Sequence, residues 1–292
     1  MVSVLFVTPI LAQCDWNGDG VVNVVDIVQT VDCILNDCWA GDILGCTDPA
    51  ASNYDPNATV DDCSCDYGGC GTTIIDIDNN VYETIQIGDQ CWMAENLKVT
   101  HYSNGDEIPT GFTDSEWSNL DDTETDAYAV YPYDNDNYDN AESCEGDCAE
   151  VYGNLYNWYA VDDTRDICPE GWHVATDDEW MELTDYLGGE SVAGGKMKST
   201  GTIENGDGLW YSPNTGATNE SGFTALPGGE RFNDEGWGNS SYYFMGQTGN
   251  FWSSTEFDSI NAWTRNMRHI GLNVFPYYTQ KRNGFSVRCV GD

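Results

Sequence analysis

No lysine or arginine occurs before Lys98, so the sixteen carboxylates of residues 1–97 have no cation in their own segment to pair with. A stretch that cannot neutralise itself cannot close into a compact unit unless something else takes up the charge. Divalent metal is the first candidate. The imbalance runs through all 292 residues, with 50 acidic side chains against 10 basic ones and a formal net charge of -40. Such a surface repels phosphate backbones and anionic lipid headgroups. Nucleic acid is therefore excluded as a partner. No stretch reaches the roughly 18 apolar residues that a membrane span needs, and no span is expected.

Residues 15–26, DWNGDGVVNVVD, supply a pattern suited to a hard cation. Asp15, Asn17 and Asp19 offer oxygens on alternate residues, the following glycine allows the sharp turn, and Val21 offers its carbonyl. Asn23 acts through water and Asp26 closes the shell, which is the logic of an EF-hand loop with Asp in place of the bidentate Glu. The next residues place Val24, Ile27, Val28, Val31, Ile34 and Leu35 on one helical face. An acidic turn without an ion is the alternative. A calcium loop with only the exiting helix resembles one half of a type I dockerin over residues 15–35. That resemblance implies calcium and a cohesin partner, although a full dockerin has two such repeats and no second one occurs in the sequence.

Residues 45–65, GCTDPAASNYDPNATVDDCSC, resemble the short calcium repeats of thrombospondin type 3 regions. Asp55, Asn57 and Asp61 are the stepped ligands, with Asp48, Asn53 and Asp62 as further oxygens. A solvated disulfide loop without metal is the competing reading. Twelve cysteines suit an oxidising compartment and a disulfide framework. The expected pairs are Cys46–Cys63, clamping the acidic loop, and Cys168–Cys289, tying the ends of the larger region. Loop-closure entropy assigns these roughly 3 and 5 kcal/mol. Zinc at Cys63, Cys65 and Cys70 is the rival, but the spacing C-x-C-x4-C is not a common zinc pattern.

Residues 1–12, MVSVLFVTPILA, form an apolar run ending on a small residue. It reads as part of a secretory signal peptide, with a buried N-terminal strand as the other reading. The expected organisation is then 1–12 signal segment, 13–44 calcium loop and helix, 45–71 acidic Cys-rich linker, and 72–292 a larger domain. Within the last, TTIIDIDNNVYETIQIG alternates around a DNN turn as a β-hairpin does. Thr176 and Glu179 predict a capping box on a helix carrying Trp180, Leu183 and Leu187. GNLYNWYAV predicts another helix. Short aromatic strands follow between Gly, Asn and Ser turns, giving an α+β class. Residues 114–151 stand out as an acidic, Asn- and Tyr-rich insertion with Cys144 and Cys148.

Several phrases, among them IGDQCWMAENLK, YGNLYNWYAV, CPEGWHVATDDEW, AGGKMK, FWSSTE and GFSVRCV, together resemble the FISUMP, or Fibrobacter succinogenes major paralogous, domain over residues 72–291. The resemblance implies a C-type-lectin-like fold shared with formylglycine-generating enzymes. Function does not travel with fold.

Chemistry is sparse. His101, His173 and His269 are the three histidines, and none sits in a zincin or nucleophile motif. The C-terminal cysteine pair of the formylglycine generators is missing, because Cys289 is the single cysteine after Cys168. No activity is therefore expected. The 37 aromatics favour recognition of sugars, and Trp210, Tyr211, Trp237, Tyr242 and Tyr243 are the candidate glycan-binding rings. The predicted protein is a secreted or cell-surface, calcium-stabilised adhesion protein that binds extracellular polysaccharide or a surface protein. The alternatives are an accessory component of a polysaccharide-degrading assembly, docked through the dockerin-like segment, or an enzyme related to the formylglycine generators.

Overall fold

The computed structural model describes residues 43–47, 55–61, 70–132, 144, 147–234 and 239–292. The chain divides into two units, Met1–Gly69 and Cys70–Asp292. In the first, strand β1 (Leu44–Gly45) pairs in parallel with β2 (Val60–Asp61). Cys46 is buried and disulfide-bonded, and its carbonyl accepts from Asp55 N at 2.9 Å. Asp55 Oδ1 accepts from both the backbone and the side-chain nitrogen of Asn57, so this carboxylate shapes a tight turn. The loop formed by Asp15, Asn17, Asp19, Val21, Asn23 and Asp26 lies outside the described residues, as do Asp48, Asn53, Asp62 and Cys63.

The second unit is built on a five-stranded antiparallel sheet in the order β3–β4–β5–β14–β8. Its strands are β3 (Thr73–Ile75), β4 (Val81–Ile87), β5 (Gln90–Met93), β8 (Trp172–Val174) and β14 (Cys289–Gly291). The β3–β4 turn is organised by Asp76, which accepts from the backbone of Asp78 and Asn80 at 2.9 Å and from the Tyr82 hydroxyl at 2.7 Å. The last strand of the chain slots between β5 and β8. Disulfides Cys168–Cys289 and Cys70–Cys91 hold both sides of this insertion.

A three-stranded antiparallel sheet forms the other large β element, from β11 (Thr248–Glu256), β12 (Asn261–Arg268) and β13 (Val274–Gln280). Two smaller pairs complete the set: β9 (Glu230–Asp234) with β10 (Asn239–Tyr243), and β6 (Tyr128–Ala129) with β7 (Leu155–Tyr156). Helices are short: α1 (Asp114–Trp117), α2 (Cys148–Tyr152), α3 (Trp158–Val161), α4 (Asp177–Tyr186) and α5 (Glu190–Met197). Both halves of the capping box form at α4, Thr176 Oγ1 accepting from Glu179 N and the Glu179 carboxylate from Thr176 N.

The α+β expectation, and with it the C-type-lectin-like and formylglycine-generating-enzyme-like fold, is corrected. The protein is mostly β, with 30% strand against 17% helix, arranged as curled antiparallel sheets. The reason is visible at GNLYNWYAV. Leu155 and Tyr156 pair with β6, and Asn157 then caps a helix of four residues, accepting from Ala160 N. A helical spacing of apolar residues is thus divided between a strand and a single turn.

The insertion is anchored through residues 114–132. Trp117 is buried with Leu120, Ala127 and Ala129 in a small core of their own, and the Arg231 guanidinium lies 4.2 Å from the Trp117 ring. Cys144 bonds to Cys148 at the start of α2.

Two larger cores fill the unit. Tyr82, Trp158, Trp172, Trp252 and Phe285 dominate one, and Trp92, Trp180, Trp210, Phe223 and Phe251 the other. Against the second sits Arg288, completely buried. Its guanidinium donates to Asn96 Oδ1, Met93 O, Phe223 O and Thr224 O at 2.7–2.9 Å. Thr224 reaches this position at φ +53°, a strained value for a β-branched residue.

Candidate functional site

Period-two alternation gives the three-stranded sheet two unlike faces. Phe251, Met267 and Val274 turn into the core. Asn250, Asn266 and Phe275, in register across the three strands, turn the other way. They form the floor of a cleft of about 640 Å3. Glu230 and Phe232 of β9 line one wall, and Phe244, just after β10, stands at the lip.

The loop from Arg268 to Ile270 borders the cleft and is fixed from behind by the AGGKMK segment. Lys198 is buried, and its ammonium donates to the carbonyls of Thr215, Arg268 and Gly271 at 2.9–3.1 Å. Burial pulls its pKa down to about 8. Gly194 lets α5 approach this loop, since a Cβ there would come within 2.5 Å of the Asn273 carbonyl.

The floor is a hydrogen-bond chain with one direction. Arg268 Nε donates to Asn266 Oδ1 at 2.8 Å, Asn266 Nδ2 to Asn250 Oδ1 at 2.7 Å, and Asn250 Nδ2 to Glu230 Oε2 at 2.9 Å. The Tyr277 hydroxyl also donates to Asn250 Oδ1, at 3.3 Å. A cation at one end and a carboxyl at the other polarise the amides between them. Desolvation pushes the Glu230 pKa up to about 7, against the opposing pull of Arg268. The same burial, with the charge of Glu230 nearby, holds the Tyr277 phenol well above its ordinary value. Glu230 is the sole carboxyl among the described residues lining the cleft.

Phe244 is 44% exposed and sits at φ +62°. The left-handed conformation costs a non-glycine residue about 1–2 kcal/mol. Its carbonyl accepts from Gln247 N and Thr248 N, which fixes the turn that carries the ring.

The sequence-derived glycan rings lie elsewhere. Trp210 is 0% exposed, with Nε1 donating to Ser199 Oγ and the Ala225 carbonyl. That corrects its assignment as a surface ring. Tyr242 is half-buried, packed at 5.2 Å on Tyr131 and covered by Arg231. Tyr211 packs edge-on to His269 and Tyr243 against Phe244; neither lines the cleft. Trp237 lies outside the described residues. The residues missed were Glu230, Asn250, Asn266, Arg268, Phe275 and Tyr277. The only local signal is the asparagine beside an inward apolar residue, Asn250 before Phe251 and Asn266 before Met267; Glu230, Phe275 and Tyr277 carry none.

The histidines are held by acids or backbone. His101 Nδ1 meets Asp78 at 2.6 Å and His269 Nδ1 meets the Ser212 carbonyl at 2.9 Å. His173 lies between Glu179 and Asp292, at 2.8 and 2.6 Å, and its pKa is raised to about 9, chiefly by the bond to Glu179.

These features define a disulfide-bonded, mostly β domain that presents an oriented polar cleft between a hairpin and a sheet. A family model of the Fibrobacter succinogenes major domain matches residues 85–291, and the chain belongs to that family. The match begins within β4, so β3 and the first half of β4 complete its sheet from outside the matched region. No curated protein and no solved structure matches the chain. Among the described residues no helix is long and apolar enough to cross a membrane.

Proposed function

We propose that this protein is an extracellular recognition module that holds a sugar unit of a polysaccharide in the cleft of its second unit. The observation that carries the reading is the directed chain from Arg268 through Asn266 and Asn250 to Glu230, in a cleft also lined by the rings of Phe232, Phe244 and Phe275. Sugar hydroxyls both donate and accept, and they match a floor that offers carboxyl oxygens at one end and guanidinium hydrogens at the other. The C–H faces of the ring pack on the aromatic walls. A mostly apolar cleft with a few fixed polar groups is the usual build of a small-molecule site.

Binding without cleavage fits this site better than hydrolysis. Glycoside hydrolysis uses two carboxyl groups about 5–10 Å apart, and Glu230 is the one described acid of the cleft. The disulfides among the described residues support an oxidising, exterior location. Calcium held at 15–26 and at 45–65 belongs to the same proposal and is supported by the cation-free sequence of those segments. Docking on a cohesin through residues 15–35 rests on that resemblance alone.

Phe244→Gly separates function from folding. Glycine relieves the left-handed strain, so stability holds or rises, while removal of the ring should abolish binding on a broad glycan array. Retention of the wild-type array pattern by this variant would remove the cleft from the account.

A further inference from the structure

We infer that the sugar held in this cleft carries a carboxylate, a uronic acid unit, and that Arg268 reads it. The inference deepens the sugar-binding reading and rests on it. All ten lysines and arginines fall among the described residues. Seven pair with a carboxylate at 2.5–3.2 Å. Two more, Lys198 and Arg288, are buried and ringed mainly by carbonyls. Arg268 is left. It is exposed at the cleft, and among the described residues no carboxylate lies within 4.0 Å of its guanidinium.

In a protein with five acids for every base, a solvent-facing arginine without an acid partner is conspicuous. The fold also prepares it. Nε is committed to Asn266, and the guanidinium carbon lies 5.4 Å from the Phe275 ring centroid. Its two terminal nitrogens make no hydrogen bond among the described residues. That free edge is the planar fork that takes a carboxylate through two parallel bonds. Glu230, the one carboxyl of the described lining, stands at the far end of the amide chain. Arg268 is thus the one lysine or arginine among the described residues lining the cleft, on a chain of net charge -40.

A neutral sugar can accept hydrogen bonds from that fork but leaves its charge unbalanced. Anionic glycans bear either carboxylates or sulfates, and the flat fork beside a stacked ring favours the planar carboxylate of a uronate.

Calorimetric titration of the full chain with trigalacturonate, its methyl ester and a sulfated neutral trisaccharide tests this. We expect trigalacturonate to bind at least tenfold tighter than its ester, and that ratio to collapse to near one in R268Q. R268K keeps the charge without the fork and should recover only part of it. The ratio is insensitive to any general loss of affinity. Equal binding of acid and ester by the wild type, or an unchanged ratio in R268Q, overturns the inference while leaving the cleft as a neutral-sugar site. Tighter binding of the sulfated sugar overturns the choice of carboxylate. Failure of all three to bind overturns the inference together with the sugar reading.

Discussion

Asn250 and Asn266 stand directly opposite each other on β11 and β12, and the Asn266 amide donates to Asn250 Oδ1 at 2.7 Å. Both are buried, at 1% and 5% exposure, in a position where most sheets would place paired apolar residues. A buried amide without its partner costs about 1–3 kcal/mol, whereas removing both partners together is nearly neutral. Asn250→Ala should therefore lower the urea-unfolding free energy by at least that amount, since Glu230 and Tyr277 also lose a partner, and adding Asn266→Ala should cost less than the sum of the two single losses. Additive losses in the double variant would show that the two amides are not coupled.

Arg288 fastens three carbonyls from two separate segments, residues 93 and 223–224, to the last strand. Replacement by methionine strands these acceptors in a core, and a loss of about 3 kcal/mol or more is expected. Lysine keeps a charge but not the planar set of five donors. Calorimetric melting should thus rank wild type well above both variants, and a lysine variant melting with the wild type would contradict this role.

His173 and Glu179 make stability depend on pH at both ends. The folded imidazole titrates at about 9 instead of 6.5, so its contribution is complete below pH 6.5 and fades as pH rises through 9. The folded Glu179 carboxyl titrates at about 2 instead of 4.5, so its share is complete above 4.5 and fades as pH falls towards 2. His173 is 36% exposed, and after solvent screening the pair contributes on the order of 1 kcal/mol. Denaturation of His173→Gln against wild type should show the largest gap between pH 4.5 and 6.5 and almost none at pH 10. A constant gap would mean the histidine acts by packing alone.

Chelation tests the acidic N-terminal segment. With eleven carboxylates and no lysine or arginine in residues 13–66, loss of calcium should expose that segment to proteolysis and leave 70–292 resistant. Cleavage kinetics of residues 13–66 that ignore both calcium and chelator would contradict the calcium proposal.

What was legible in the sequence was local. The Asp76 turn, the Thr176–Glu179 capping box and the strands at GNFWSST and NAWTRNM are short-range patterns, and they appear where the residues foretell them, whereas GFTALPGG forms no strand. The cleft was not legible because its floor joins residues sixteen apart on β11 and β12 with Glu230 from a separate hairpin. Aromatic content misled as well. Trp210 reads as a surface ring in a glycine- and serine-rich stretch, yet it is buried in the second core, with the Lys198 ammonium over its ring and Nε1 bonded to Ser199. The fold class failed for a related reason, since apolar residues at helical spacing were claimed by strand pairing across β6 and β7.

Hydrogen exchange of the full chain, with and without a saturating oligosaccharide found by array, bears most directly on the central claim. The cleft account predicts slowed exchange at 229–232, 244–250 and 264–279, with the five-stranded sheet unchanged. Protection confined to any other surface, with these three segments unaltered, would contradict it.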